Sequence, residues 1–468
     1  MLAPAHHRIG GNWTDPYNPT SVDPSAVFKA YDIRGRADTG ELDEELYRRI
    51  GVALVDRLDA TTVAVGRDCR ASSPVFAAAL TGGIRSAGGD VIDVGEVPTD
   101  AVYYFSGARD VHGAIVTASH NPSEYNGLKL CRPGAAPIGM QTGLAEIEES
   151  VVAGVEPDSG TEGSLESADI VDDYIDHLFR IVPPDTIGAL RIAADGGNGM
   201  AGVAINQVFD RIDASLEGLY LELDGSFPNH PADPLVPENL EDLKALMASG
   251  DFDLGVAFDG DADRAFFLDD QMRSLSGSTV TSLVARRILS QNPGESVVHN
   301  LITSKSVPEI VTESGGTPIR TRVGHSFIKQ VMAETGAIFG GEHSGHYYFR
   351  DNYRADSGML AMLFLLQVVS LDGRPLSEIR KEVERYAASG EINFEVDDQE
   401  AVMERVAASF PDADTDRLDG LTVDLGERWF NFRPSNTEPL LRLNAEAPDE
   451  AGVASLVDEV SRIVEGDR

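Results

Sequence analysis

One pattern recurs along the chain and constrains its fold more than any other feature. An apolar run rich in valine and isoleucine ends in a loop containing glycine or aspartate, and a helical stretch follows. It is seen at TTVAVGRD (61–68), GAIVTASHN (113–121), DLGVAFDGDADR (253–264) and GAIFGGEHSGH (336–346). Continuous apolar strands that alternate with helices are typical of mostly parallel α/β sheets. Ligands of such sheets bind at the carboxyl ends of the strands, so the polar residues there are the candidate functional residues.

The spacing of these repeats predicts several domains, because 468 residues exceed what one compact core accommodates. Polar stretches rich in glycine and serine at 152–169 and 268–279 resemble linkers. From about Glu391 the pattern changes to that of a small α+β unit. We therefore expect an α/β protein with three similar domains built on mixed or parallel sheets and a smaller C-terminal α+β domain. The predicted division is a flexible extension at 1–24 and domains at 25–168, 169–272, 273–387 and 388–468.

The charge of the chain limits its partners. There are 38 Lys and Arg residues against 77 Asp and Glu, which gives a net charge of −39 at pH 7. Such a field opposes binding to nucleic acid or to an anionic membrane, and an anionic ligand would need locally clustered basic groups. The acidic excess is spread along the chain, as expected for a protein kept soluble in concentrated salt. We predict a halophilic-type acidic surface and a loss of structure below molar salt; indifference to salt would contradict this.

The remaining composition gives no reason to expect a compartment other than the cytoplasm. Its two cysteines, Cys69 and Cys131, are too few for a disulfide scaffold or a thiolate metal site. There is no apolar run of about 18 residues to span a membrane, and the N-terminal residues lack the apolar segment of a signal peptide. The sequence leaves the choice between monomer and homodimer open.

Three aspartates, Asp259, Asp261 and Asp263, alternate directly after an apolar run. Carboxylates this close repel one another unless a cation neutralises them, and oxygen ligands select Mg²⁺, Ca²⁺ or Mn²⁺. An EF-hand is excluded because Arg264 stands at its sixth position, where glycine is required. The alternative is a solvated acidic turn. The flanking apolar runs and the embedded arginine favour a metal loop.

Ser119 ends another apolar run, followed by His120. It could be a turn residue, a hydrolase nucleophile or a phosphoryl donor. Neighbouring side chains on an extended chain point to opposite faces, so we expect His120 to be badly placed to deprotonate Ser119. The G-x-S-x-G elbow of hydrolases is also absent. A phosphorylated serine needs no such base, and its phosphate could complete a metal site with the three aspartates.

The segment RPSNTEP (433–439) offers a guanidinium, hydroxyls and an amide close together. Such groups form a cradle for an anion, although a turn between two strands explains them equally well. The candidate residues are Arg433, Ser435, Asn436 and Thr437, with Arg442 nearby.

A glycine-rich loop after a further strand carries Glu342, His343, Ser344 and His346. Its neutral donors and acceptors with one carboxylate suit sugar hydroxyls. Zinc is the weaker interpretation, because only two imidazoles are offered, and a simple turn is the third.

Two shorter motifs are weak by themselves. KAYDIRG (29–35) contains Tyr31 and Arg34, and TRVGHSFIK (321–329) places Gly324, His325 and Lys329 at a strand-to-helix turn, where phosphate can bind.

In this order, TASHNP, DGDADR, GEHSGH and RPSNTEP resemble the phosphoserine, metal, sugar and phosphate loops of the α-D-phosphohexomutase superfamily. The resemblance covers the chain from about Phe28 to its last helix and is strongest to the phosphomannomutase/phosphoglucomutase branch. It implies three α/β domains and a smaller fourth around a central cleft. It also implies a mutase that interconverts hexose 1-phosphate and hexose 6-phosphate, of mannose, glucose or both.

The resemblance further implies a mechanism. Phosphorylated Ser119 donates its phosphate, a hexose 1,6-bisphosphate forms as intermediate and activator, and the other phosphate returns to the serine. Mg²⁺ would be held by Ser119, Asp259, Asp261 and Asp263. The residues that would bind the substrate are Tyr31, Arg264, Gly324, His325, Glu342, Ser344, His346, Arg433, Ser435, Asn436, Thr437 and Arg442.

Around the reacting phosphate the same match places Arg34, His120 and Lys129. We expect Lys129, with Arg34, to handle the hydroxyl proton, since burial beside other cations lowers the pKa of a lysine. The alternatives are a phosphoglucosamine mutase, a metal-dependent sugar phosphatase and a non-catalytic phosphosugar-binding protein on the same fold.

Overall fold

The computed structural model describes residues 23–466, apart from 158–159 and 436–439. The predicted extension at 1–24 therefore lies almost entirely outside the described residues, and so do Asn436 and Thr437 of the predicted phosphate loop.

The first α/β unit carries the predicted serine loop. Its strands are β1 (Ile33–Arg36), β2 (Thr62–Arg67), β3 (Asp90–Glu96), β4 (His112–Val116), β5 (Tyr125–Arg132), β6 (Ala136–Pro137) and β7 (Leu165–Ser167). Its helices are α1 (Glu44–Leu58), α2 (Ser73–Ser86), α3 (Thr99–Arg109) and α4 (Ala145–Val152). The sheet order is β1-β5-β4-β2-β3-β7, with β6 paired to β5. Strands β4, β2, β3 and β7 are parallel, whereas β5 runs antiparallel to β4, so the chain returns beside the serine loop.

The second unit carries the predicted metal loop. Its helices and strands are α5 (Val171–Ile181), β8 (Leu190–Asp195), α6 (Ile205–Phe209), β9 (Ala214–Leu219), α7 (Glu241–Ala248), β10 (Leu254–Phe258) and β11 (Ala265–Asp269). The sheet order is β11-β10-β8-β9, and only β11 is antiparallel among these strands. The metal loop connects β10 to β11, because the aspartates cannot continue the buried strand.

The third unit carries the predicted sugar loop. Its elements are α8 (Gly277–Gln291), β12 (Ser296–Asn300), α9 (Ser306–Glu313), β13 (Thr317–Thr321), α10 (His325–Thr335), β14 (Phe339–Gly341), β15 (Tyr347–Phe349), α11 (Gly358–Asp372) and α12 (Leu376–Ile379). The sheet order is β13-β12-β14-β15, with β15 antiparallel to β14. The sugar loop joins these last two strands.

The C-terminal unit has an antiparallel sheet in the order β16-β20-β19-β18-β17. Its elements are β16 (Ala387–Glu395), α13 (Gln399–Ser409), β17 (Asp414–Asp416), β18 (Leu421–Asp424), β19 (Trp429–Pro434), β20 (Leu440–Ala447) and α14 (Glu450–Glu465). Three mixed α/β units and a smaller antiparallel one confirm the predicted fold class. Each sheet lies within one predicted domain except for Ala387, and the boundaries themselves stay predictions.

The apolar cores follow this division only in part, since the first unit has a cluster of its own, which includes Tyr47 and Leu80, beside the one that it shares. One large cluster of buried apolar side chains runs from the first unit through the second and third, and includes Ile115, Phe258 and Phe339. The C-terminal unit has its own cluster, centred on Phe430 and Phe432. Helix α11 is buried from Gly358 to Val369. Within the described residues no single helix is long and apolar enough to cross a membrane; Gly358–Asp372 and Leu376–Glu382 meet those criteria only as a pair bent by 88°.

Candidate active site

Ser119 lies just beyond the end of β4, and its backbone has a φ of 50°. This left-handed conformation directs the buried side chain toward the metal loop, where Ser119 Oγ donates a hydrogen bond to Asp259 Oδ2 at 2.7 Å. The expectation that His120 points away is wrong, because the chain is not extended at this residue. His120 Nδ1 lies 3.3 Å from Ser119 Oγ. The Ser119 hydroxyl therefore has two neighbours, the Asp259 carboxylate to which it donates and the His120 imidazole.

The three aspartates of the metal loop converge as predicted. Oxygens of Asp259, Asp261 and Asp263 lie within 4.8 Å of one another. Burial raises the pKa of Asp259 to about 7 against the opposing charge of Arg264, and Asp263 and Asp261 add smaller contributions. Asp261 Oδ1 and Asp263 Oδ1 are buried and accept no hydrogen bond from any described residue. Buried orphan carboxylate oxygens of this kind are suited to a divalent cation.

Lys129 corrects another expectation. Its Nζ donates to Asp261 Oδ2 at 2.7 Å and to Asp263 Oδ2 at 2.5 Å. Although burial opposes the charge, these carboxylates raise the pKa of Lys129 well above its usual value. The expected lowering of the pKa by neighbouring cations is therefore wrong, and Lys129 is an ammonium. For Asp263, burial is outweighed by Lys129 and the pKa falls below the usual value.

Arg264 joins the metal loop to the sugar loop. Its Nε donates to Asp259 Oδ2 at 2.9 Å, and its side chain is almost fully buried. Its backbone forms an antiparallel bridge with His346. As a result His346 Nε2 lies 4.0 Å from Asp263 Oδ1, so the sugar loop closes directly over the aspartates.

Arg34 and His120 flank the serine loop on the other side. Arg34 Nη1 donates to Ala118 O and to Asn121 Oδ1, each at 2.5 Å, and its second nitrogen pairs with Asp32. Burial, with help from the charges of Arg264 and Arg34, lowers the pKa of His120 to about 2. His120 is therefore an uncharged imidazole at neutral pH.

Glu342 anchors the sugar loop. Its Oε1 accepts from Gly324 N at 3.1 Å and from Asn300 Nδ2 at 3.2 Å, and its Oε2 accepts from Tyr348 Oη at 2.7 Å. Ser344 Oγ lies 3.1 Å from His346 Nδ1. Metal-ligating atoms of His343 do not converge with those of Glu342 and His346 in the described part of the chain, so the zinc interpretation finds no support.

The turn before α10 meets the first unit. Gly324 has a φ of 130°, and a Cβ there would lie 2.6 Å from Tyr31 Oη. Tyr31 thus reaches from the first unit to the third. His325 begins α10. Lys329 is buried beneath this turn, where its Nζ pairs with Asp356 Oδ1 at 2.6 Å, and a carboxylate oxygen of Asp356 lies within 4.8 Å of ligand atoms of Asp263 and His346.

The predicted phosphate loop begins at the end of β19. Arg433 is paired with Arg442 across β19 and β20, and both approach Glu391, at 3.5 Å and 3.7 Å. Ser435 N donates to Leu440 O. Burial lowers the pKa of His343, and the charge of Arg433 acts in the same direction.

Several residues of this site were not predicted. Thr99 donates through Oγ1 to Asp261 Oδ2 at 2.6 Å, and Asn300 and Tyr348 hold Glu342. Thr99 and Asn300 both stand at or just after the carboxyl end of a strand, so the rule applied to the other loops could have found them. Tyr348 lies within β15 and carries no such signal.

The chain is similar to known proteins along almost its whole length. The models of the phosphoglucomutase/phosphomannomutase family match all four parts: α/β/α domain I at 25–157, domain II at 172–272, domain III at 276–386 and the C-terminal domain at 391–463.

Two relatives and one solved structure support the same family. The chain is 40% identical over 445 residues to the phosphohexose mutases of Xanthomonas campestris pv. campestris, covering 94% of this chain and 99% of that one. It is 38% identical to the phosphomannomutase of Escherichia coli K12, covering 90% and 94%. A crystal structure of a phosphoglucomutase/phosphomannomutase family protein from Burkholderia thailandensis superposes with a TM-score of 0.87 at 32% identity, covering 94% and 97%.

Fold and site together define an isomerase that moves a phosphoryl group on a hexose phosphate. The chain belongs to the phosphoglucomutase/phosphomannomutase family, as the order of its four motifs indicated.

Proposed function

We propose that this enzyme interconverts hexose 1-phosphate and hexose 6-phosphate, of mannose, glucose or both, through a phosphorylated Ser119 and a hexose 1,6-bisphosphate. The observation that carries the proposal is the hydrogen bond of 2.7 Å from Ser119 Oγ to Asp259 Oδ2. It places a hydroxyl that can carry phosphate beside buried carboxylates whose oxygens lack partners among the described residues. The relatives named phosphomannomutase support mannose as one sugar.

In the proposed reaction the bond between Ser119 Oγ and phosphorus breaks while a bond from a sugar hydroxyl oxygen to phosphorus forms. The hydroxyl proton ends on Ser119 Oγ. The bisphosphate then turns end over end, and its other phosphoryl group moves to Ser119 by the same exchange. We propose that Lys129 relays the proton, giving one to Ser119 Oγ as the bond to phosphorus breaks and regaining one from the sugar hydroxyl, and that Arg34, which stays charged, balances the charge. Since the pKa of Lys129 is raised, it holds a proton at Nζ, whereas His120 stays neutral.

Mg²⁺ is the cation that we propose for the aspartate cluster. Asp259, Asp261, Asp263 and the phosphate on Ser119 would hold it, which fits the orphan oxygens of Asp261 and Asp263. When bound, Mg²⁺ neutralises the phosphoryl oxygens during transfer. In the structure Lys129 already neutralises part of the same cluster.

The substrate would lie between the serine loop and the C-terminal unit. Glu342, Ser344 and His346 would bind the sugar hydroxyls, and the other residues proposed to contact the substrate are Tyr31, Arg264, Gly324 and His325. The far phosphate would be bound by Arg433, Ser435, Asn436, Thr437 and Arg442. Closure of the C-terminal unit would keep water from the phosphoserine.

The test is an isomerisation assay with mannose 1-phosphate or glucose 1-phosphate, Mg²⁺ and a trace of the 1,6-bisphosphate. The 6-phosphate should appear, and intact mass should show one phosphate on the protein. Free phosphate in place of the 6-phosphate would indicate a phosphatase. Turnover of glucosamine phosphate alone would indicate a phosphoglucosamine mutase, and binding without turnover would contradict the enzyme assignment.

A further inference from the structure

The loop that carries Ser119 must be held against its own preference. A φ of 50° at Ser119 costs a residue other than glycine roughly 1–2 kcal/mol. Such a conformation persists only where the surroundings fix it. The hydrogen bond from Ser119 Oγ to Asp259 fixes the side chain, not the backbone.

Thr117 Oγ1 accepts from Ser119 N at 3.0 Å, and one buried side chain, that of Arg70, binds the main-chain oxygens of the loop. All five N–H groups of the Arg70 guanidinium are used, and four of them donate to main-chain oxygens of the loop. Nη2 donates to Ser119 O at 2.8 Å and to Asn121 O at 2.6 Å. Nη1 donates to Pro122 O at 2.6 Å and to Tyr125 O at 3.1 Å.

Arg70 is itself fixed from several directions. Its Nε donates to Asp68 Oδ2 at 3.1 Å, and Asp68 Oδ1 accepts from Arg70 N at 3.0 Å and from Ser73 Oγ. The second unit covers it: the Phe227 ring lies 4.9 Å from the guanidinium carbon, and a Cβ on Gly225 would meet Arg70 Cα at 2.4 Å. The side chain is fully buried, so it can adopt no other position without the units separating.

The metal loop closes the opposite side of the serine. A Cβ on Gly260 would lie 2.4 Å from Ser119 O, so the carbonyl of Ser119 is held between Gly260 and the Arg70 guanidinium. Gly260 follows Asp259 directly, and the two loops are therefore locked in register with each other.

We propose that Arg70 is a positioning residue for phosphoryl transfer: its guanidinium fixes the backbone of 119–125 so that Ser119 Oγ faces the aspartate cluster. The inference rests on the proposed role of Ser119. A misplacement of about 1 Å at a reacting atom lowers a rate by about 100-fold, so this clamp should act on kcat more than on KM. A lysine would keep the charge but not the fork, because its donors share one nitrogen.

The experiment compares Arg70→Lys and Arg70→Met with Arg85→Lys and Arg85→Met. Arg85 is a matched control, since its guanidinium also binds a main-chain oxygen, Gly163 O at 2.9 Å, far from the site. Mutase kcat and KM, phosphate on Ser119 by intact mass, thermal unfolding and hydrogen exchange of peptides covering 119–125 are measured on the full chain.

For Arg70→Lys we expect a folded protein whose kcat falls by about 100-fold with little change in KM, and faster exchange confined to 119–125. Arg85→Lys should match wild type in both. An Arg70→Lys variant with wild-type kcat overturns the proposal. So does a loss of activity that follows only the folded fraction, with exchange at 119–125 unchanged. If wild type itself lacks mutase activity, the proposed function fails and exchange alone decides: faster exchange at 119–125 supports the clamp, and unchanged exchange overturns it.

Discussion

The serine and the aspartates are enclosed by the α/β units, whereas the arginines of the proposed phosphate end lie on the inner strands β19 and β20 of the C-terminal sheet. Ser119 is 5% exposed and Asp259 and Asp261 are fully buried, while the side chain of Arg442 is 33% exposed and its carboxylate partner is 3.7 Å away. Bond exchange needs fixed atoms. A site that must accept a phosphate at either end of a sugar needs charge without such strict geometry.

The serine end and the phosphate end also differ in how their units are joined to the rest of the molecule. The serine and metal loops belong to units that share one apolar core. The C-terminal unit has a core of its own and contacts the third unit through half-exposed ion pairs such as Lys305–Asp424 and Arg320–Asp416. Contacts of this kind contribute little each, so the phosphate end can separate from the rest at lower cost than the serine end.

Replacing the serine tests the fixed end most directly. Ser119→Ala should lower mutase activity by more than about 10⁴-fold, because no other group can carry the phosphate, and should leave the melting temperature near that of wild type. Ser123→Ala, in the exposed part of the same loop, is the control and should retain activity. Isomerisation by Ser119→Ala at the wild-type rate would remove Ser119 from its proposed role.

A buried carboxyl beside this end makes stability depend on pH. Asp100 accepts from Tyr174 Oη and Ser357 Oγ, which tie the three α/β units together. Burial raises the pKa of Asp100 to about 7. The folded protein therefore binds one proton more than the unfolded chain between about pH 4 and pH 7, and its stability falls as the pH rises through that range.

Asp100→Asn removes this titration. Relative to wild type, the variant should become more stable as the pH rises from 5 to 8, by about 1.4 kcal/mol for each pH unit up to about pH 7, as measured by urea unfolding. Asp110→Asn, exposed at the other end of the same helix, is the control for the loss of a carboxylate. An equal difference at pH 5 and pH 8 for Asp100→Asn would mean that Asp100 is ionised throughout.

At the phosphate end, Arg433→Gln should lower kcat/KM by about 30-fold, since a hydrogen bond to a charged group is worth about 2 kcal/mol. Hydrogen exchange at 119–125 should not change. Arg428→Gln, which removes an ion pair with Glu459, is the control. A loss as large as that of Ser119→Ala would contradict the distinction between the two ends.

The sequence was sufficient to locate the main residues of the site, but not to predict the backbone conformation that orients them. Strand ends located Ser119, Asp259 and Glu342, because an apolar run that stops at polar residues is a local signal. It could not give the φ of Ser119, which depends on contacts with Arg70 and Gly260 from elsewhere in the chain. That is why the position of His120 was predicted wrongly.

The predicted direction of the Lys129 pKa shift was wrong for a related reason. Its neighbours in sequence are apolar, and its carboxylate partners lie more than 130 residues away, so the sign of its environment is a property of the fold. The acidic surface is a property of composition alone, and its dependence on molar salt stays a prediction.

The smallest effect should come from the contacts between the third unit and the C-terminal unit. Lys305 Nζ donates to Asp424 Oδ1 at 2.6 Å and to Gly426 O at 2.5 Å, with both charged side chains partly exposed. Lys305→Gln should cost less than about 1 kcal/mol of stability at the lowest salt concentration that keeps the protein folded. The cost should shrink as KCl is added, since the Debye length falls with ionic strength to about 3 Å at 1 M.

Lys244→Gln, which breaks an exposed pair within a single helix, is the control for the loss of a surface charge. The gain of Asp100→Asn should persist in the same salt, because Asp100 is buried where ions do not screen it. If salt reduced both effects alike, the contrast between a closed serine end and an ion-paired phosphate end would fail. If it reduced only that of Lys305, the join to the C-terminal unit would be the salt-sensitive part of the molecule.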